Sequence, residues 1–204
     1  YDGMQSQGYA AVMRDYVREC SFHFSQKEWL TRSWVWFDVA RGPESSAGEL
    51  RDFRRIAELI NPSESGAPRV PFVSTLIPQS MQPFGWLDYR FDDLSTLVDV
   101  WATPARYHHR ATLERLRASG KKHWLRPDQP PYSGSLDVEA PPVQARSLAM
   151  QAFLEGADAL MIEHATTWPP KVFDESISDR RARSDTWLLY PGDSFGLKQP
   201  VPSM

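Results

Sequence analysis

An aspartate at the end of an apolar run is the first residue whose type and position suggest chemistry. Residues 34–39 read WVWFDV, and Asp38 stands near the end of this run, just before the turn-forming segment ARGP. A carboxylate in such a place can orient a reacting group or move a proton, provided that a second group works with it. The ordinary alternative is a carboxylate that caps a loop or forms a salt bridge. The elements around Asp38 therefore decide its interpretation.

Helical patterns and short apolar runs alternate along the chain, which is typical of parallel β-α-β units. The spacing of apolar residues predicts helices at 4–29, 45–60, 107–118 and 142–155. The apolar runs predict five buried strands, at 34–39, 70–77, 97–104, 120–127 and 157–164, and a short extra strand at 187–192. This α/β pattern fits an open doubly wound sheet or the later part of a TIM-barrel-like (β/α)8 fold.

Polar and aromatic residues at the ends of the predicted strands favour the barrel. They are Asp38, Ser74, Thr75, Trp101, Thr103, Trp124, Arg126, Asp128, Glu163 and His164. In a barrel the carboxyl ends of the strands converge on the face where active sites are built. The sequence contains no GxGxxG or GxxxxGK[ST] loop, which weakens the nucleotide-binding interpretation. No cofactor is therefore expected.

Composition excludes several other classes. A net charge of −3 argues against a nucleic-acid-binding protein, and no apolar run approaches the roughly 18 residues of a membrane span. The single cysteine, Cys20, cannot form an internal disulfide framework. The adjacent His108 and His109 would point in different directions on a helix, and HExxH is absent, so no metal site is expected. Eight tryptophans provide flat apolar faces that suit sugar rings but also suit a core.

Several short motifs occur in a characteristic order. They are Val98, Asp99 and Trp101; Gly120, Lys121 and Trp124; Pro130, Pro131 and Tyr132; Arg146, Gln151 and Ala152; Gly156 and Asp158; Leu189, Tyr190, Pro191 and Gly192; and Pro200, Val201, Pro202 and Ser203. In this order they resemble the C-terminal part of the glycoside hydrolase family 123 catalytic domain and its uncharacterised relatives.

The resemblance implies a (β/α)8 barrel of which this chain, as a single domain over residues 1–204, supplies roughly the last five strands. The other strands would come from a longer chain or a partner subunit. A carbohydrate would be the substrate or ligand, for example an N-acetylhexosaminide, and an extracellular or periplasmic location is favoured. Neither a nucleic-acid partner nor a membrane span is expected.

The family's catalytic pair is an adjacent Asp-Glu on the strand that corresponds to WVWFD. The Asp orients the substrate's own N-acetyl group, and the Glu protonates the leaving oxygen. Here Asp38 is retained, but Val39 stands in place of the Glu and cannot donate a proton. Glu163 and Glu44 are the alternative acids, and Glu163 is preferred because a strand end is more rigid than a loop.

Six residues are candidates for sugar contact: Trp36, Trp101, Trp124, Arg126, Tyr132 and His164. For Trp101 and Trp124 the alternative is core packing beneath the barrel mouth. The sequence thus leaves two functions open. One is an active glycoside hydrolase, and the other is a barrel that binds glycans, or serves a structural role, without cleaving them.

Overall fold

The computed structural model describes residues 6–36, 47–60, 66–75, 77, 96–136, 140–162, 189–190 and 192–202. Its main strands are β1 (Val35–Trp36), β2 (Phe72–Ser74), β3 (Val100–Pro104), β4 (Lys122–Arg126) and β5 (Ala159–Leu160). They form a parallel five-stranded sheet in the order β1-β2-β3-β4-β5. The strands thus follow one another in the sheet in the order in which they follow along the chain. The predicted α/β class is confirmed, and the sheet is consistent with part of a barrel-like fold.

The chain divides into two compact units. The first comprises residues 1–103 and 107–124, and the second comprises residues 104–106 and 125–204. The helices described from end to end in the first unit are α1 (Gln7–Gln26), α2 (Ala47–Ile60) and α3 (Arg110–Ala118).

Strand register in the first unit follows from parallel pairing. Val35 lies opposite Phe72, and Val73 lies opposite Val100. The backbone N–H of Lys122 donates to the carbonyl of Asp99 at 2.9 Å, which joins the beginnings of β3 and β4. The amino ends of these strands are therefore aligned.

Local sequence explains why α1 and α2 form. Ser6 caps α1, because its hydroxyl accepts a hydrogen bond of 3.1 Å from the backbone N–H of Tyr9. In α2 the buried residues Phe53, Ile56, Ala57 and Ile60 follow the i, i+3, i+4, i+7 spacing of one helical face. That face is the one predicted from the apolar periodicity.

The core of the first unit lies between this face of α2 and the sheet. Phe53 and Phe72 are buried with ring centroids 5.4 Å apart, and Val17, Val98, Trp101, Leu113 and Leu116 belong to the same cluster. Val35 packs against this cluster from β1. Because side chains alternate along a strand, Trp34 and Trp36 lie on the opposite face of the sheet.

The second unit contains α4 (Pro142–Leu154), β5 and an antiparallel pair, β6 (Leu189–Tyr190) and β7 (Val201–Pro202). Helix α4 starts at a proline, whose missing N–H costs nothing there. It is followed by Gly156 at φ 68°, and the N–H of Ala157 donates to the carbonyl of Ala152 at 2.8 Å. This left-handed glycine reverses the chain so that it enters β5.

Among the described residues of this unit, one core cluster contains Ala105, Leu125 and Ala152, with Ala157 and Leu160 packed against them. The N–H of Met161 donates to the carbonyl of Leu125 at 2.8 Å and so links β5 to β4.

The described strands are shorter than predicted. Only Val35 and Trp36 are described as strand within 34–39, and residues 37–39 and 163–164 lie outside the described ranges. The helix expected at 107–118 begins at Arg110, because Ala105–Tyr107 form a 3-10 turn first. His108 and His109 therefore precede the helix, and the prediction that they lie on it was wrong. The short strand expected at 187–192 occurs as β6, within described residues 189–190.

Candidate functional site

The residues predicted to perform the chemistry fall outside the described ranges. Asp38 and Glu44 follow β1, and Glu163 and His164 follow β5. Their chemistry stays a prediction. The structure does describe the strands that lead toward these positions and five of the six candidates for sugar contact.

Three tryptophans of the first unit share one face of the sheet. Trp36 is 44% exposed and Trp34 is 43% exposed. The rings of Trp34 and Trp124 meet edge to face, with centroids 5.2 Å apart and planes at 78°. Trp124 is half-buried and lies on the face of β4 opposite to Leu125, which packs into a core. We call this face of the sheet, which carries Trp34, Trp36 and Trp124 and is turned away from the helices, the aromatic face.

Trp101 is placed differently from the other tryptophans. Its side chain is fully buried, in the same cluster as Phe53 and Leu113, between the sheet and the helices. A ring without exposed surface offers no face to a sugar. The burial of Trp101 favours the core-packing alternative.

The second unit carries the remaining described candidates. Arg126 is half-buried at the end of β4. Tyr132 is 52% exposed on the loop that follows β4, which contains a cis peptide bond between Pro130 and Pro131. Tyr132 therefore presents aromatic surface to solvent.

An ion pair that the sequence did not reveal lies beside this loop. Arg106 donates from Nε and Nη2 to the two carboxylate oxygens of Asp128. The Asp128 side chain is 7% exposed, and that of Arg106 is 45% exposed. The guanidinium carbon of Arg106 also lies 5.7 Å from the centroid of the Tyr132 ring, within the range of a cation–π contact. The only sequence signal for Arg106 is its position just after β3.

The charge state of Asp128 follows from these contacts. Burial raises the pKa of Asp128, but the hydrogen bonds and positive charge of Arg106 and the N–H of Gln129 outweigh burial and hold that pKa below its usual range. Asp128 is therefore ionised near neutral pH. A general acid must hold a proton there, so Asp128 does not fit the role left open by Val39.

Hydrogen bonds hold the loop around Tyr132 in place. The N–H of Tyr132 donates to the carbonyl of Gln129 at 3.0 Å, and Nε2 of Gln151 donates to the carbonyl of Tyr132 at 2.8 Å. The N–H of Asp128 donates to Oγ of Ser133 at 2.7 Å. These hydrogen bonds hold the loop backbone before and after Tyr132, through residues of the loop itself and through Gln151 of α4.

A cleft of about 390 Å³ lies at the amino ends of the strands in the first unit. Its lining includes Trp34, Arg69, Asp99 and Lys122. Arg69 donates to Oδ2 of Asp99 at 2.8 Å, and the N–H of Phe72 donates to the same oxygen at 2.9 Å. Asp99 thus joins the starts of β2 and β3, which gives this motif residue a structural role.

The described residues provide neither a metal cluster nor a membrane-spanning helix. Within these ranges, no group of three or more His, Cys, Asp or Glu side chains is arranged to hold a metal ion. Among the helices that the structure describes, none combines the length and apolar character needed to cross a bilayer.

Comparison with known proteins identifies a fold. No family model matches the sequence, and no curated protein matches it. A solved structure, a family 123 glycoside hydrolase from Clostridium perfringens studied for glycolipid glycan hydrolysis, matches over 96% of this chain. The TM-score is 0.63, the sequence identity is 14%, and the chain spans 32% of that enzyme's length. The resemblance predicted from the motifs is thereby confirmed at the level of the fold.

Proposed function

We propose that this chain forms part of a glycan-hydrolysing enzyme of the family 123 type, with an N-acetylhexosaminide as the substrate class. The observation that carries the proposal is the fold shared with the Clostridium perfringens enzyme over 96% of the chain. The order of the sequence motifs, which resembles that of the family 123 catalytic domain, also supports it.

Asp38 is the proposed anchor of the chemistry. We expect Asp38, near the end of the strand predicted at 34–39, to face the mouth of the proposed barrel. There its carboxylate would orient the substrate's N-acetyl group for attack on the anomeric carbon. Such substrate assistance departs from the usual scheme of two protein carboxylates.

The proposed acid is Glu163, with Glu44 as the alternative. Val39 cannot protonate the leaving oxygen, and the Arg106 contact keeps Asp128 ionised. Asp128 is the one carboxylate at a strand's carboxyl end in the part of the chain that the structure describes. The proton donor must therefore come from elsewhere, and both glutamates follow strands of the sheet.

We propose sugar-contacting residues for each of the two units separately. In the first unit, Trp36 and Trp124 are proposed to stack on a sugar ring, because both lie on the aromatic face of the sheet. In the second unit, Tyr132 is proposed for stacking, with Arg126 and His164 as polar contacts. Trp101 is not included in the proposed contact set, because it is buried in the core.

A second function is favoured by one specific observation. Val39 replaces the family's acid, and a general acid typically contributes about 10²–10⁴-fold to the rate. A barrel that binds glycans without cleaving them, or that has a structural role, is therefore the alternative. It would use the same aromatic residues but would not need Glu163.

The distinguishing experiment is hydrolysis of aryl N-acetylhexosaminides with good and poor leaving groups by the wild type, Asp38→Asn, Glu163→Gln and Glu44→Gln. Loss of the acid should slow poor leaving groups by about 10²–10⁴-fold and good ones far less, because only the poor ones need protonation. Loss of Asp38 should slow both. If the wild type binds sugars but cleaves no glycoside in the panel, the binding function replaces the enzymatic one.

We also propose that the five strands are completed into a barrel by a longer chain or a partner subunit. The chain spans 32% of the matched enzyme, and an open sheet of these five strands would leave the outer sides of β1 and β5 as edges. Strand edges are usually paired or covered by another segment. Light scattering and binding of a hydrophobic dye test this proposal. A stable monomer of the 204-residue chain that binds no dye would contradict it.

A further inference from the structure

The Tyr132 side chain is exposed, although its backbone and its ring both have contacts within the protein. Its ring is 52% exposed, yet its backbone N–H, its carbonyl and one side of its ring all have partners. An exposed tyrosine without such partners would change rotamer freely and would have to be ordered when a ligand binds. In this loop hydrogen bonds hold the backbone, and the guanidinium of Arg106 contacts the ring itself.

Arg106 is the side chain that lies against the ring, with its guanidinium carbon 5.7 Å from the ring centroid. Its planar guanidinium donates two hydrogen bonds to Asp128, whose side chain is 7% exposed, so the guanidinium plane is held by a group that is almost fully buried. A guanidinium fixed in this way can lie against an aromatic ring at a constant angle, whereas a lysine ammonium binds as a point charge. The guanidinium of Arg106 lies over the ring of Tyr132.

We propose that Arg106 is a positioning residue for glycan binding, which holds the exposed ring of Tyr132 in the orientation that stacks on a sugar. The inference rests on the proposed function, since it takes a carbohydrate as the ligand. It assigns no direct sugar contact to Arg106. Asp128 acts indirectly, because it orients the guanidinium of Arg106.

The expected effect on glycan affinity follows from the free-energy cost of ordering the Tyr132 side chain. If Arg106 fixes the ring before the ligand arrives, a variant without the planar contact must order Tyr132 upon binding. The cost of ordering one side chain corresponds to a loss of affinity of about 3- to 10-fold. The loss should disappear when the Tyr132 ring is absent, because nothing then remains to be positioned.

The test uses Arg106→Lys, Tyr132→Ala and the double variant of the full-length protein, with binding of N-acetylhexosamine-terminated oligosaccharides measured by calorimetry. Arg106→Lys keeps the positive charge beside Asp128 and removes the planar fork. We expect it to weaken binding about 3- to 10-fold in the wild-type background. In the Tyr132→Ala background it should have no further effect. Equal losses in both backgrounds would overturn the inference.

A second readout requires no sugar. In protein labelled with 3-fluorotyrosine, the ¹⁹F resonance of position 132 is assigned by its disappearance in Tyr132→Phe. Arg106→Lys should shift this resonance toward the value of a free fluorotyrosine. An unchanged resonance overturns the inference even if glycans bind. If the wild type binds no glycan, the proposed function fails and the sugar-binding role of Arg106 fails with it, whatever the ¹⁹F result.

A paired variant serves as the control in case Arg106→Lys fails to fold. Arg106→Lys leaves Asp128 with a weaker partner, so its melting temperature is measured alongside the wild type. If it unfolds, Arg106→Gln combined with Asp128→Asn takes its place, because this pair leaves no buried unpaired carboxylate. The paired variant should show the same loss of affinity and the same shift of the ¹⁹F resonance. A folded paired variant with wild-type values for both would overturn the inference.

Discussion

The rings of Trp34 and Trp124 meet edge to face, with centroids 5.2 Å apart. Trp34 directly precedes β1 and Trp124 lies in β4, so two strands separate them in the sheet. In a flat sheet the backbones of strands three places apart would be about 14 Å apart, and side chains stand roughly perpendicular to the sheet. The contact therefore indicates that the sheet of the first unit curves toward its aromatic face, as the wall of a barrel does.

A double-mutant cycle on these tryptophans should reveal coupling. We expect Trp34→Ala and Trp124→Ala to show an interaction energy of about 0.5–1.5 kcal/mol in the free energy of unfolding, because edge-to-face pairs add this much beyond burial. Urea denaturation of the four proteins measures it. The matched control pairs Trp124→Ala with Trp29→Ala, whose ring contacts His23 and Phe24 instead. Equal coupling in both cycles would show that Trp34 and Trp124 do not interact specifically.

Two tryptophan substitutions should have opposite consequences for stability and binding. Trp101→Ala removes a fully buried ring and should lower the free energy of unfolding by about 3–5 kcal/mol. Trp36→Ala removes a ring that is 44% exposed, so we expect a much smaller change in melting temperature and a clear loss of glycan affinity. Thermal melts and glycan titrations of both variants provide the comparison. If Trp36→Ala lost stability but bound glycans normally, its proposed contact with sugar would be wrong.

The Asp128–Arg106 pair should make stability depend on acid pH. The pKa of Asp128 is lower in the folded protein than the value of about 3.9 in an unfolded chain. The pair therefore stabilises the fold at pH values above about 4, and this contribution is lost as the pH falls through the lower pKa of the folded state. Asp128→Asn should cost about 1–3 kcal/mol at pH 7 and progressively less in acid.

Urea denaturation at pH 7 and at pH 3 measures this dependence. The matched control is Asp15→Asn, because Asp15 forms an ion pair with Arg18 at 3.1 Å in which both side chains are well exposed. An exposed pair contributes at most about 1 kcal/mol, so this variant should differ little from the wild type at either pH. A constant deficit of Asp128→Asn at both pH values would contradict the ion-pair explanation.

Gly134 should tolerate no side chain. A Cβ atom there would lie 2.1 Å from the carbonyl oxygen of Gln144 and 2.6 Å from Oγ of Ser147. Gly134→Ala must therefore displace the loop from α4, and we expect a loss of about 1–3 kcal/mol. Hydrogen exchange of the loop amides should increase at the same time.

The control for Gly134 is a glycine with free space. A Cβ at Gly8, in the first turn of α1, meets nothing within 4 Å. Gly8→Ala should leave stability unchanged or raise it by up to about 1 kcal/mol, because alanine loses less conformational entropy in a helix. If both substitutions had the same effect, close approach of the loop to α4 would not explain the glycine at position 134.

The order and type of the elements were readable from the sequence. The stripe of Phe53, Ile56, Ala57 and Ile60 predicted α2 and its buried face, and the alternation of strands with helices predicted a parallel sheet. These features follow from local periodicity, since a helix or strand places its residues on faces by their spacing alone. The barrel-like fold was implied by the resemblance of the motif order to the family 123 catalytic domain.

Tertiary structure decided which aromatic residues are accessible. Trp36 and Trp101 both lie in apolar strands, but one is exposed on the face turned away from the helices and the other is buried beneath them. A strand that is apolar on both faces carries no periodic signal to tell its faces apart, so only the packing of helices against one side separates them. The curvature that brings Trp34 to Trp124 likewise depends on the pairing of four strands.

The ion pair of Arg106 and Asp128 also depended on the fold. The two residues are 22 positions apart, and nothing in their separate segments relates them. They meet because β3 and β4 are parallel neighbours in the sheet. The segments that follow the two strands therefore both start at the carboxyl ends of the strands. The sequence by itself predicted Asp38 as the anchoring carboxylate, Val39 in the place of the family's acid, and the loop that carries Tyr132. Only the tertiary structure paired Asp128 with Arg106 and placed Arg106 against the Tyr132 ring, because such contacts depend on distance in space and not on spacing along the chain.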